Sequence, residues 1–124
     1  MNYEIVPREN YLLVTTSGPV DTDDYAECLD AIFNHPDWRP GYAYIFDHTL
    51  LDASKLKRED VDRISEIART RRGKYGVGKS AVVAPNDVEY GIIRMVMVYA
   101  EDGDRIPTNV FRTLDEAVDW LFSA

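Results

Sequence analysis

One cysteine, Cys28, and two histidines, His35 and His48, are all that the 124 residues offer of the side chains that most often build disulfides or zinc sites. An internal disulfide is excluded, no zinc-ligand spacing exists, and a reducing cytoplasm is the expected compartment. Long apolar runs are missing too. None approaches the ~20 residues that cross a bilayer, so no integral membrane association is expected. The opening Met1-Asn2-Tyr3-Glu4 lacks the basic and apolar parts of a signal peptide. Basic residues are outnumbered, 14 against 22 acidic, for a formal charge of −8. That balance argues against general nucleic-acid or anionic-membrane binding. Repeats, low-complexity segments and linkers are absent. What remains is 45% apolar and 29% charged, the composition of a folded chain, and its length suits one domain.

The charge is unevenly spread. Residues 55–79 hold nine of the basic residues and four of the acidic ones, a local +5, and leave −13 elsewhere. Arg69, Arg71, Arg72 and Lys74 gather where a helix ends, which its dipole favours without any partner.

Periodicity divides the chain into nine elements. Tyr3–Val6 and Tyr11–Thr15 read as strands around a turn at Pro7-Arg8-Glu9-Asn10, and Gly18-Pro19 is expected to stop the second. Asp21 or Thr22 can cap a helix whose apolar face is Tyr25, Cys28, Leu29, Ile32 and Phe33. After the loop His35–Gly41, the continuous apolar run Tyr42–Phe46 suits a strand covered on both faces. A helix at about 57–72 follows, with Val61, Ile64, Ile67 and Ala68 inward. Ser80–Ala84 and Thr108–Phe111 are further strands, with Val88–Ala100 between them helical by length. Thr113 and Glu116 then form a capping box for a last helix with Leu114, Ala117, Val118, Leu121 and Phe122 on its apolar face. The order ββαβαβαβα predicts a single α/β domain with a mostly parallel sheet and one antiparallel N-terminal strand.

Few motifs carry chemistry. Gly73-Lys74-Tyr75-Gly76-Val77-Gly78-Lys79-Ser80 matches the phosphate-loop pattern, yet it lies between a helix and a strand. That order gathers no helix amino end over a phosphate, so the glycines read as a helix stop and a turn. Cys28, on an apolar face, reads as a small core residue. Asp47 and His48, adjacent on a strand, point to opposite faces and make a poor catalytic pair. The carboxyl edge of a parallel sheet is where sites form, and Asp47, Asp52 and Asp87 could bind Mg²⁺ there if their loops converged. Arg94 has Tyr90, Gly91, Met97 and Val98 as helical neighbours and no local acid, which leaves it to snorkel, to meet a distant acid, or to anchor an anionic ligand. Ile92, Met95, Val96 and Tyr99 form one apolar stripe on that helix. Ile93, Met97 and Ala100 form a second, which predicts a homodimer interface at Ile93 and Met97, the alternative being burial by another helix or by Phe122 of the same chain.

The whole pattern resembles the sulfate-transporter and anti-sigma-antagonist (STAS) fold, in its stage II sporulation protein AA-like group. The residues that carry the likeness are His35-Pro36-Asp37-Trp38-Arg39-Pro40-Gly41 before a strand ending at Asp47, Gly91-Ile92-Ile93-Arg94-Met95, and Val110–Ala117 with Trp120-Leu121. The resemblance implies a non-catalytic regulatory domain that binds a protein partner. It also implies a phosphorylated serine after an acid near the second helix, for which Asp52-Ala53-Ser54 is the nearest match, with Ala53 breaking the Asp-Ser pair and no glycine following. Ser54 otherwise reads as a helix N-cap. Lipid carriers of the CRAL-TRIO type share this fold group. The alternative is thus a small-ligand carrier with an apolar pocket, in which Asp47, His48, Arg94 or Arg112 meets an apolar or anionic ligand. An enzyme using the carboxylates of the sheet edge comes third, and no cofactor is implied.

Overall fold

The structure, a computed structural model, describes residues 1–75, 79–100 and 108–123, with the backbone alone at 72–75 and 98–100. Five strands form one sheet in the order β1 (Asn2–Pro7), β2 (Tyr11–Pro19), β3 (Ala43–Asp52), β4 (Ser80–Val83) and β5 (Thr108–Phe111). β1 runs antiparallel to β2, and all later pairs are parallel. The helices between and after them are α1 (Thr22–Phe33), α2 (Arg58–Tyr75), α3 (Asp87–Ala100) and α4 (Leu114–Leu121). The fold class is the one expected, and Met95–Tyr99 is helical.

Strand alternation splits the core in two. Leu12, Val14, Tyr44, Phe46, Val82 and Val110 face one way, under α1, α2 and α3. Their neighbours Leu13, Ile45, Ala81 and Val83 face the other way, under α4 alone. The apolar face read from α1 is the one it buries: Cys28, Leu29, Ile32 and Phe33. On α2, Val61, Ile64, Ile67 and Ala68 are buried as expected. Each fully buried Leu or Ile contributes roughly 1.5–3 kcal/mol.

β2 and β3 run further than their sequences suggest. Gly18 does not stop β2; it takes φ +79° inside the strand and pairs with Leu51, and Pro19 pairs with Asp52. A residue without a Cβ takes that conformation without strain. β1 covers β2 only as far as Ser17, so Pro19 lies where that edge of β2 is open and its missing N–H deprives no ladder. Between the pairs Thr15–Asp47 and Ser17–Leu50, β3 carries one residue more than β2. This bulge at His48-Thr49 resets the alternation. His48 faces the three-helix side, Thr49 and Leu50 are exposed, and Leu51 returns inward.

Helix ends depart from expectation in three details. α2 starts at Arg58, where the Lys57 backbone N–H donates to the Asp60 carboxylate at 2.9 Å, so Ser54 lies before the helix and does not cap it. α2 continues through Gly73 to Tyr75, so Gly73 does not stop it; residues 76–78 of the phosphate-loop match lie outside the described residues. At α4, the Thr113 hydroxyl accepts the Glu116 N–H at 3.3 Å, while the Glu116 carboxylate accepts from that hydroxyl at 2.9 Å instead of from the Thr113 backbone.

Candidate ligand cavity

Along the three-helix face lies a cavity of about 90 Å³. Its floor is β3, through Tyr44, Phe46, His48 and Leu51, with Val82 and Ser80 from β4. Ile64 and Ala68 of α2 close one side, and Ile92, Ile93, Val96 and Met97 of α3 close the other. The sequence period explains the lining. α3 turns Glu89, Ile92, Ile93, Val96 and Met97 inward at helical spacing, and the β3 bulge brings Leu51 back to the face of Phe46 and His48. The space accommodates several waters or one small organic group.

The walls are apolar except at a few points. His48, 6% exposed, stacks on Phe46 with centroids 4.9 Å apart, and its Nδ1 lies 2.6 Å from the Thr16 hydroxyl. Burial lowers its pKa to about 4 against the opposing pull of Asp47, so the ring is neutral at pH 7. Glu89, 7% exposed, accepts the Ala53 N–H at 3.2 Å through Oε1. Farther along, the Ser80 and Thr108 hydroxyls meet at 2.9 Å.

Of the four candidate ligand residues, His48 alone lines the cavity. The Asp47 carboxylate turns to its own loop, accepting the Thr49 N–H at 3.0 Å and the Thr49 hydroxyl at 2.5 Å, and does not pair with His48. Arg112 donates to the Pro85 carbonyl at 2.9 Å and to Asp87 at 2.8 Å, with its guanidinium 4.0 Å above the Tyr90 ring. Arg94 is exposed and leans over the same ring at 6.0 Å. An anionic head therefore meets neither arginine inside the cavity. Ile93 and Met97 are half-buried against the core and line the cavity, whereas Val88 and Met95 of α3 are exposed. Glu89 escaped the reading of the sequence. Its i+3 and i+4 neighbours Ile92 and Ile93 placed it on the inward face, and that spacing was the available signal.

Other candidates are accounted for by their neighbours. Asp52 accepts both the Ser54 hydroxyl at 2.6 Å and the Ser54 N–H at 2.9 Å, bonds that hold its carboxyl below the usual range. Asp47, Asp52 and Asp87 thus have separate partners, and no group of three His, Cys, Asp or Glu that could hold a metal occurs among the described residues. Cys28 is buried, with its thiol pushed up to about 12, which suits an inert core residue. The Lys79 ammonium donates to the Trp120 carbonyl at 3.3 Å and lies 5.0 Å from that indole, closing off the carboxyl end of α4. Much of the basic segment is paired: Arg63 with Asp23 at 2.5 Å, Arg71 with Asp30 at 2.8 Å, and Arg69 with Glu66. Among the described residues no helix is long and apolar enough to cross a membrane.

No protein-family model matches the sequence, nor does any curated protein. A solved structure does match: an uncharacterised protein of the DUF3478 family with a SpoIIAA-like fold, from Shewanella loihica. It is 17% identical, superposes with a TM-score of 0.61, and the match covers 97% of this chain and 92% of that one. The likeness shows the fold, which is SpoIIAA-like, as the resemblance implied.

Proposed function

We propose that the chain is a non-catalytic binding domain whose cavity takes a small, largely apolar ligand. One observation carries this reading: a cavity of about 90 Å³ between the sheet and the α2–α3 pair, walled by aromatic and aliphatic side chains with a few polar groups set among them. Concave apolar sites of that construction are the usual form of small-molecule sites. The volume suits a ring or a short chain, so it favours a small ligand over a lipid. Toluene at millimolar concentration should raise the melting temperature, because a ligand that binds only the folded state stabilises it. Ala68→Phe, which fills the cavity from α2, should abolish the rise. No rise in either protein, or an equal rise in both, sinks the reading.

A second reading has one observation of its own. Ser54 is exposed, and its hydroxyl is 2.6 Å from the Asp52 carboxylate. A phosphate there would repel Asp52 and open the turn, which is how a modification could alter a protein-binding surface. Phosphate mapped to Ser54 in protein purified from its own cells supports a regulatory role in binding a partner; unmodified Ser54 there counts against it.

A further inference from the structure

The cavity holds two buried side chains whose hydrogen-bonding capacity is half used. Glu89 spends Oε1 on the Ala53 N–H, and among the described residues Oε2 has no hydrogen-bond or ion-pair partner. His48 spends Nδ1 on Thr16, and its Nε2 has none among the described residues either. Both residues are more than nine-tenths buried and both line the cavity. Groups in that state are costly unless something completes them.

What completes them follows from their chemistry. The Thr16 hydroxyl, 3.3 Å from the Asp47 carbonyl and 2.6 Å from Nδ1, has one proton for the two. We assign it to the carbonyl, the tautomer in which Thr16 accepts from Nδ1–H and Nε2 keeps a lone pair. A carboxylate likewise only accepts. The cavity therefore offers two acceptors, one bearing negative charge, beside polar groups already engaged: the Ser80 and Thr108 hydroxyls with each other, and the Met1 ammonium with Asp24 at 2.9 Å. Arginines 94 and 112, the cations nearest in the sequence reading, lie outside it on Tyr90 and Asp87. We infer that the ligand is a small apolar molecule with a cationic, hydrogen-bond-donating head, an amine or amidine, held by Glu89 with His48 as second acceptor. This is the reverse of the anionic head expected from the arginines. It rests on the cavity being a ligand site, and the net charge of −8 favours the approach of such a cation.

Four probes of one shape test it at pH 7.5: benzylamine, benzyl alcohol, toluene and benzoate, followed by calorimetry and melting temperature. Affinity should fall in that order, with benzylamine about tenfold tighter than toluene, the scale of one charge-assisted hydrogen bond. Glu89→Gln should erase the preference for the amine and keep toluene. If that variant does not fold, the order of the four probes on the unaltered protein decides alone. Toluene bound as tightly as benzylamine, or benzoate bound more tightly, overturns the inference and leaves the cavity as an apolar site. Benzylamine binding that survives Ala68→Phe is adsorption to an acidic surface and overturns it as well. Failure of all four probes removes the ligand site itself.

Discussion

On one face of the sheet α4 lies alone, and its Ala117 and Leu121 join Leu13, Ile45, Ala81 and Val83 of the strands in a cluster of six buried residues, all apolar. On the other, the buried cluster shared by the strands and helices is twice as large, yet the cavity is there. So are the buried polar residues: Thr16, His48 and Ser80 on the strands, Ser65 on α2 and Glu89 on α3. A short helix settles onto three strands as a unit, and small residues such as Ala81 and Ala117 let it come close. Helices α1, α2 and α3 must also pack against one another, and where α2 and α3 straddle β3 the gap stays open. One face supplies stability with little else, and the other gives up packing to create a polar, hollow interior.

The largest contrast should come from truncating one leucine on each face. Leu29 of α1 is fully buried and fixed between strands and helices that hold one another in place, so Leu29→Ala leaves a cavity that cannot collapse. It should cost about 4 kcal/mol. Leu121, in the last turn of a helix packed only on the sheet, can be followed inward by its own backbone, and Leu121→Ala should cost about 2 kcal/mol. Urea titration measures both. Equal costs would break the contrast in rigidity.

Acid should act through the three-helix face. His48 has a folded pKa near 4 against an ordinary 6.5, so between those values the unfolded chain binds the extra proton. The contribution of the neutral ring is complete above pH 6.5 and is lost as the pH falls toward 4, a change of about 3 kcal/mol. His48→Phe keeps a ring on Phe46 and removes the titration. The difference between the two stability–pH curves over that window isolates the histidine from the carboxylates. Parallel curves would mean that the ring is hydrated.

Adding volume should separate the faces in the opposite sense. Ala68 borders the cavity, so Ala68→Leu has room and should change stability by less than 1 kcal/mol. Ala117 of α4, fully buried against the sheet, has none, and Ala117→Leu should cost roughly 1–3 kcal/mol, the usual toll of overpacking. A similar loss at both sites would show that the cavity is too narrow for a methylene chain.

The sequence disclosed the face under α4 more completely than the face with the site. Periods, apolar runs and segment lengths located the nine elements described, and they identified the inward residues of α1 and α2; on α4 they found Ala117 and Leu121 but added Phe122, which follows the helix and is exposed. Those signals depend only on neighbours in the chain. The extension of β2 past Gly18 and the bulge at His48-Thr49 depend on the register between β2 and β3, which no local pattern encodes. The same register decides that His48 meets Thr16, 32 residues away, and not the adjacent Asp47. Arg94 looked available because its partner Tyr90 is an aromatic face, which a search for acids overlooks, and Arg112 because its acid, Asp87, lies 25 residues away in the chain. Ile93 and Met97 looked like surplus apolar surface because a helix facing a cavity needs a wider apolar arc than one resting on a flat sheet.

Two residues with the same apparent role give the smallest and sharpest test. Thr113 and Ser54 each precede a helix, and each reads as an N-cap. Thr113 occupies that position on α4, with extended backbone (φ −132°, ψ 155°) and its hydroxyl accepting the Glu116 N–H. Thr113→Ala leaves that N–H without its partner and should cost about 1 kcal/mol. Ser54 stands before α2 begins at Arg58, and its hydroxyl serves the exposed Asp52 carboxylate. The start of α2 is closed instead by the Asp60 carboxylate on the Lys57 N–H. Ser54→Ala should therefore change stability by less than about 0.5 kcal/mol, as exposed substitutions away from caps do. It should also let the Asp52 pKa rise toward the ordinary carboxylate range, since the Ser54 hydroxyl is the largest influence holding it down. A carboxyl-detected NMR titration reads that rise directly. A cap-sized loss of stability with an unmoved Asp52 would instead make Ser54 part of the α2 terminus.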